Sequence, residues 1–494
     1  MNQFKIWYVA SEIYPFAKTT VLGDVTGSFP KSLKMKNQEI RVIMPKYKTI
    51  NERKYILREV IRLRDIPVTI NGETKTVNVK SAFLPDSKVQ IYFVEIPDYF
   101  GRIGLYADHK TGKEYPDNVQ RYAYFCKAAI ETLKILSWKP DIIHCNDWQT
   151  AFIPIYLKTI YKDDEFLQNI KTVFTIHDLI NQGIVKKNLG VSLDINSSLI
   201  EKGESFEDET NINICQGAIN LSDWITTVSK TYAKQIFESD KYGYGLSKLL
   251  KSKASKFTGI LNGVDYSVWS PQSDKYLPFQ YSSDKLEIKE QNKHALITRI
   301  NLKYKENNPL IGIISQLSEE KGIPLLLKDI KELLQLNVQF VVLGMGDKKF
   351  EKEFQDLQNK YPDRINFNST FDETLVHMVI AGADFILVPA FYEPCGMIQM
   401  YCMKYGTIPI VHKTGGLADT VVGIDLEKNK GNGFVFEKYN TRDLLRVIKS
   451  AIKIYKKAEQ FKEIKVRIMK EDYSWDNSTE QYIEIYNRIV APFF

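Results

Sequence analysis

A strand–helix alternation that runs, stops and starts again constrains this chain more than any other feature. Ile6-Trp-Tyr-Val-Ala10 is a short apolar run, followed by a polar loop, a helical stretch through Lys34, and Glu39-Ile-Arg-Val-Ile-Met44 closed by Pro45. Asp141-Ile-Ile-His144 and Lys171-Thr-Val-Phe-Thr-Ile176 repeat the pattern, with helical segments between. Strands alternating with helices need crossover connections, and crossovers build parallel sheets. The grammar restarts near residue 309. Pro309-Leu-Ile-Gly-Ile-Ile314, Val338-Gln-Phe-Val-Val-Leu343, Asp384-Phe-Ile-Leu-Val388 and Thr407-Ile-Pro-Ile-Val411 read as strands, and Ile323 to Leu336 as a helix. Residues 268–308 are polar and weakly periodic, which predicts a hinge region. The expectation is an α/β chain of two doubly wound, parallel-sheet domains with a cleft between them. Ligands are expected beyond the carboxyl ends of the strands.

Length and composition agree. At 494 residues the chain is too long for one core, and 44% hydrophobic with 26% charged residues is ordinary for a globular protein. Disordered, collagenous and coiled-coil classes are excluded. The net charge of +7 is mild for this length and makes no case for nucleic acid. Cys126, Cys145, Cys215, Cys395 and Cys402 show no zinc spacing and read as reduced thiols. The N-terminus carries no signal-peptide pattern, and the longest apolar runs are far too short to span a bilayer. A cytoplasmic protein with no membrane partner is expected, and the oligomeric state stays open.

The residues suited to chemistry fall in the loops after the strands. Thr414-Gly-Gly-Leu-Ala-Asp-Thr420 opens a helix: either a phosphate-binding turn, with backbone close to the ligand and the helix dipole facing it, or a plain turn with an N-cap threonine. Lys321, at the start of the next helix, either faces a diphosphate or is solvated. Glu393, in the turn Glu393-Pro-Cys-Gly396, either bonds sugar hydroxyls or caps the helix beginning near Met397. Two of the six histidines, His144 and His177, end strands, with Asp147 and Trp148 nearby, which suggests a polar site. No third ligand stands at metal spacing, and neither a P-loop nor a GxSxG elbow is present. Lys18 to Asp24 fills the first loop.

These motifs resemble the bacterial glycogen synthase and plant starch synthase family over nearly the whole chain. The match runs through Val9-Ala-Ser-Glu-Ile-Tyr-Pro-Phe-Ala-Lys18, His144-Cys-Asn-Asp-Trp-Gln149, Thr175-Ile-His177, Thr258 to Trp269, Glu393-Pro-Cys-Gly396, Thr414 to Val421 and Tyr473-Ser-Trp475. The resemblance implies a GT-B fold: an N-terminal domain 1–265, the hinge 266–308, a nucleotide-sugar domain 309–472, and a C-terminal helix, 473–494, crossing back to the first domain. It implies retaining transfer of glucose from ADP-glucose, or less often UDP-glucose, to an α-1,4-glucan, with no metal and no cofactor. It also implies roles. Thr414, Gly415, Gly416 and Leu417 would hold the distal phosphate; Lys321 and Lys18 would meet the diphosphate. Phe371 would stack on adenine, and Glu393 would bond the glucose. The His177 carbonyl would face the anomeric carbon. Asp147 would help position sugar or acceptor, and Asn262 would line the cleft.

Departures from the family pattern open a second reading. The first loop reads Lys18-Thr-Thr-Val-Leu22, so Thr20 and Val21 replace two glycines; Gln316 replaces an arginine, and Ala390-Phe391 a Ser-Arg pair. A Cβ at Thr20 and Val21 would block close backbone approach, and β-branched residues tolerate positive φ poorly. One reading is a working glucan synthase. The other is a catalytically impaired relative that binds glucan or a protein partner. A related enzyme with another donor or acceptor is a third.

Overall fold

A computed structural model describes residues 2–195, 211–370 and 372–490. They form two compact units. The first takes in the chain up to Val228, Ala233–Gly263, and the C-terminal stretch from Trp475; the second takes in Ser229–Tyr232 and Val264–Ser474.

The first unit is built on strands β1 (Lys5–Val9), β2 (Glu39–Pro45), β3 (Arg58–Glu59), β4 (Ile66–Ile70), β5 (Glu73–Phe83), β6 (Gln90–Glu95), β7 (Ile142–Asn146), β8 (Lys171–Ile176), β9 (Ile184–Lys186), β10 (Asn211–Asn213), β11 (Trp224–Thr227) and β12 (Phe257–Gly259). The main sheet runs β12-β11-β8-β7-β1-β2-β6-β5-β3. From β12 to β6 every pairing is parallel, as the apolar runs predict. The remainder departs from the expected all-parallel sheet. β5 pairs antiparallel with β6, β3 and β4. These strands alternate buried and exposed residues, as in Ile66-Pro-Val-Thr-Ile70, because one face meets water.

The second unit carries β13 (Leu310–Ile314), β14 (Gln339–Leu343), β15 (Ile365–Asn368), β16 (Phe385–Val388), β17 (Ile408–His412) and β18 (Phe434–Phe436), all parallel, in the order β15-β14-β13-β16-β17-β18. Chain direction across each sheet reverses beside its first strand. In the first unit β1 lies between β2 and β7; in the second β13 lies between β14 and β16. The loops leaving β1 and β7, and those leaving β13 and β16, diverge there and leave the crevice where ligands bind in sheets of this kind.

The segment 268–308 packs into the second unit. Its helix Ile288–Arg299 buries Leu296 and Ile297 against Leu310, Val341, Leu375 and Val379. Two of its lysines point inward. Lys293 Nζ lies 2.8 Å from the buried Asp384 carboxylate, and Lys289 Nζ donates to the Ala381 carbonyl and Thr407 Oγ1, both at 2.6 Å. Upstream, Trp269 stacks on His377 at 4.1 Å, and Asp274 accepts from His377 at 2.7 Å and from Tyr405 at 2.6 Å. The final helix, Trp475–Val490, belongs to the first unit. Trp475 Nε1 donates to Ser28 Oγ at 2.8 Å, and Ser32 and Thr479 share a hydrogen bond of 2.7 Å. No helix among the described residues is long and apolar enough to cross a membrane.

Candidate active-site loops

In the first unit the loop after β1 is organised by Glu12, which is fully buried. Its carboxylate accepts the backbone N–H of Thr19 (2.6 Å) and Thr20 (3.0 Å) and both hydroxyls, at 2.9 and 3.1 Å. Thr20 then caps the helix Val21–Met35 by accepting from Leu22 N–H. Its backbone is extended, at φ −130° and ψ 177°, and Val21 is the first helical residue. The expected conflict between these Cβ atoms and a positive φ is therefore absent. A threonine that caps and bonds Glu12 gives this loop a rigidity of its own, without glycine. Lys18 forms an ion pair at 2.8 Å with Asp24 in the first turn of that helix.

The two strand-end histidines separate in role. His144 is buried, with Nδ1 2.7 Å from Tyr486 Oη and Nε2 2.6 Å from Thr175 Oγ1, and burial pushes its imidazole down to about 3. Both nitrogens are engaged by the protein, so His144 is a core residue and the expectation of a polar site there is corrected. His177 is part-exposed at the end of β8. Its backbone N–H donates to Asp147 Oδ1 at 2.7 Å, and its Nε2 lies 2.9 Å from Asn146 Oδ1. The Asn146 amide is oriented by its Nδ2, which donates to the Val9 carbonyl at 2.9 Å. Its Oδ1 must therefore face the ring, and His177 Nε2 carries the proton. Desolvation holds the His177 imidazole at about 3, so the ring is neutral at physiological pH. Asp147 stands at φ 56° and ψ 177°, a backbone conformation that is nearly glycine's alone. Desolvation pushes its carboxyl well above the usual range, against the backbone N–H bonds of His177 and Asp178 that pull it down. Asn262 is buried in the first unit, and its Oδ1 has no hydrogen-bond partner among the described residues.

In the second unit, Lys321 Nζ and a Glu393 carboxylate oxygen lie 2.8 Å apart, with about a fifth and a seventh of each side chain exposed. One residue leaves the loop after β13 and the other the loop after β16. The Glu320 carbonyl accepts from Phe391 and Tyr392 N–H at 2.8 and 3.1 Å, so the two loops are stitched together. Gly322 makes that closeness possible. It stands at φ +77°, and a Cβ there would lie 2.0 Å from the Pro389 carbonyl oxygen. Gln316 is exposed in the loop after β13. Glu393 does not cap the following helix, which starts at Ile398 behind Met397.

The Gly415-Gly416 pair serves the protein before any ligand. A Cβ would lie 1.9 Å from the Glu393 carbonyl oxygen at Gly415 and 1.7 Å from that of Cys395 at Gly416. Gly416 N–H is taken by the Glu393 and Pro394 carbonyls at 3.2 and 3.0 Å, and the Thr414 hydroxyl donates to the Phe391 carbonyl at 3.1 Å instead of capping its helix. Close approach is the reason for these glycines, as expected, but what approaches is the Glu393–Cys395 backbone. The helix start and Glu393 thereby become one rigid piece. Phe391 packs edge-on against Tyr439, with centroids 5.4 Å apart. Phe371 lies outside the described residues. No group of three or more metal-ligating side chains occurs among the described residues.

The structure thus gathers Lys321, Glu393 and Thr414–Leu417 in the second unit, and Asn146, Asp147 and His177 in the first. Sequence reasoning missed Asn146, Glu12 and Asp24. Asn146 was findable: it stands two residues from His144 on the same face of β7, immediately before Asp147.

Comparison with known proteins places the chain. Residues 5–252 match the family model of the starch synthase catalytic domain, and residues 297–466 that of glycosyl transferases group 1. The chain is 37% identical to a glycogen synthase of Pelodictyon phaeoclathratiforme, over 99% of each. It is 39% identical to one of Thermosipho africanus, covering 98% of this chain and 99% of that one. Among solved structures it superposes on the catalytic domain of starch synthase IV from Arabidopsis thaliana, bound to ADP and acarbose, with a TM-score of 0.91 and 32% identity over 99% of this chain and 100% of that one.

Proposed function

The chain belongs to the glycogen and starch synthase family, a glycosyltransferase enzyme of GT-B fold, and from that premise we propose that it transfers glucose from ADP-glucose to the non-reducing end of an α-1,4-glucan with retention at the anomeric carbon. The observation that carries this reading is the Lys321–Glu393 pair at the switch point of the second sheet, locked to the Gly415-Gly416 turn. A departing nucleoside diphosphate needs preorganised positive charge. Lys321 supplies a cation, and the helix start behind Thr414 supplies the positive end of aligned peptide dipoles. The backbone of Thr414, Gly415, Gly416 and Leu417 at that helix start would hold the distal phosphate. Glu393, bridged to Lys321, would accept from the glucose hydroxyls and so couple sugar position to leaving-group charge. Phe371 would stack on the adenine.

From the first unit, the His177 carbonyl would face the anomeric carbon as positive charge develops there. The neutral His177 ring would hold a sugar hydroxyl and Asp147 would help position sugar or acceptor, with Lys18 assisting at the diphosphate and Asn262 offering its unpaired oxygen to a hydroxyl. Protein cations carry the charge, so no metal ion is invoked. We infer a cytoplasmic enzyme of glycogen formation, in keeping with the bacterial glycogen synthases it resembles. ADP bound to starch synthase IV supports an adenine donor for this chain as well.

Transfer of labelled glucose from ADP-glucose and from UDP-glucose to glycogen tests the proposal, beside Gln316→Arg. Incorporation from ADP-glucose is expected. The added guanidinium should raise the rate by about 10- to 100-fold, the worth of one charge-assisted hydrogen bond. Glycogen bound in a pull-down with no transfer from either donor would overturn it.

A further inference from the structure

Residues 146 and 147 hold His177 at two points, and the arrangement resting on the proposed function above gives them a job. Asn146 Oδ1 accepts from the ring Nε2–H at 2.9 Å, and Asp147 Oδ1 accepts from the His177 main-chain N–H at 2.7 Å and more weakly from Asp178 N–H at 3.4 Å. A trans peptide sets its N–H and C=O on opposite sides. The amide that Asp178 turns toward Asp147 therefore points the His177 carbonyl the other way.

We propose that Asp147 is a positioning residue that holds the His177 backbone and so aims its carbonyl, with Asn146 fixing the ring, rather than a group that touches the sugar. Three further observations carry this. Asp147 keeps a backbone conformation at φ 56° that L residues rarely adopt. Such strain persists only where surrounding bonds over-determine it. Its own N–H is bonded to the Thr175 carbonyl at 2.9 Å, so both its ends are tied to the strand that leads into His177. Asn146 is itself fixed, donating to the Val9 carbonyl and accepting from Tyr8 Oη at 3.1 Å. The elements involved are the ends of β1, β7 and β8 in one unit.

Asp147→Asn and Asp147→Ala separate the roles. An amide oxygen still accepts the His177 N–H, whereas alanine cannot. We expect Asp147→Ala to lose roughly 10²-fold in kcat, the scale on which misplacing a catalytic group costs rate, with KM for donor and glucan little changed. Asp147→Asn should retain most of the activity. In amide NMR spectra the His177 N–H resonance, which reports its hydrogen bond to Asp147, should move in Asp147→Ala and stay close to its place in Asp147→Asn. Equal loss of kcat in both variants, with the His177 amide unmoved in Asp147→Asn, would overturn the proposal, since a charge on the substrate would then be what matters. An amide signal unmoved in Asp147→Ala would also overturn it. If the unaltered protein transfers no glucose at all, the functional reading fails, and the amide readout still reports whether the clamp exists.

Discussion

At the scale of single residues, burial decides which titratable groups can do chemistry. His144 carries the residue type of a general acid or base, yet it is fully enclosed and held near 3. Its folded value lies below the unfolded value of ~6.5. The unfolded chain therefore binds more protons between those two values, and stability falls as pH drops below about 6.5. Chemical denaturation at pH 7 and pH 5 should show a loss on the order of 2 kcal/mol from this one residue. His144→Gln should flatten that slope. Lys321 is the opposite case, part-exposed and paired with Glu393. Lys321→Met should cost ~10²–10³ in kcat, the scale of losing one preorganised electrostatic contact, while thermal unfolding is little moved. An unchanged kcat in a steady-state assay would remove Lys321 from the reaction. The Thr20 and Val21 substitutions belong here too. Read as side chains they break a pattern, but in place Thr20 caps the helix and satisfies a buried carboxylate, and Val21 is that helix's first residue.

At the scale of elements, the turn at Thr414 shows what sequence can and cannot say. Two glycines after a strand correctly signal a close approach, because only glycine lets backbone meet backbone at that distance. Nothing in the sequence says which backbone. The Glu393–Cys395 turn lies 21 residues away and arrives from a different strand. Gly416→Ala should push that turn outward. We expect a stability loss of about 1–3 kcal/mol or more by calorimetry, the range for overpacking, together with a fall in activity through displaced Glu393. The parallel strands β1, β2, β7, β8, β13, β14, β16 and β17 were legible because both faces are buried and the runs are nearly continuous in apolar residues. The strands β3 to β5 were not, because a half-exposed antiparallel strand leaves only a faint alternation. The helix Ile288–Arg299 reads as part of a hinge because its sequence is polar and weakly periodic, and such side chains count as solvated. Lys293 escapes that rule by meeting Asp384, a partner 91 positions on, and Lys289 by dropping toward pKa 7 among carbonyl and hydroxyl acceptors.

At the scale of the whole molecule, the first unit is closed by residues from the far end of the chain. Trp475 packs on Phe29 with centroids 5.0 Å apart, and Tyr486 bonds His144. Trp475→Ala should therefore destabilise the first unit by about 3–5 kcal/mol in urea denaturation, although the residue follows the whole second unit in sequence. A change confined to the second unit's transition would contradict that assignment.

Fold class, the doubled α/β grammar and the loops that matter follow from the sequence alone, since periodicity and glycine placement are local properties of the chain. The family also shows there, through many motifs in order. What only the tertiary structure decided is pairing across distance: that Lys321 meets Glu393, that Asp147 holds the His177 amide, that His144 is walled in by Tyr486, and that Thr20 serves Glu12. Each depends on two segments brought together by a crossover, and no local pattern records which acceptor will stand opposite a given donor.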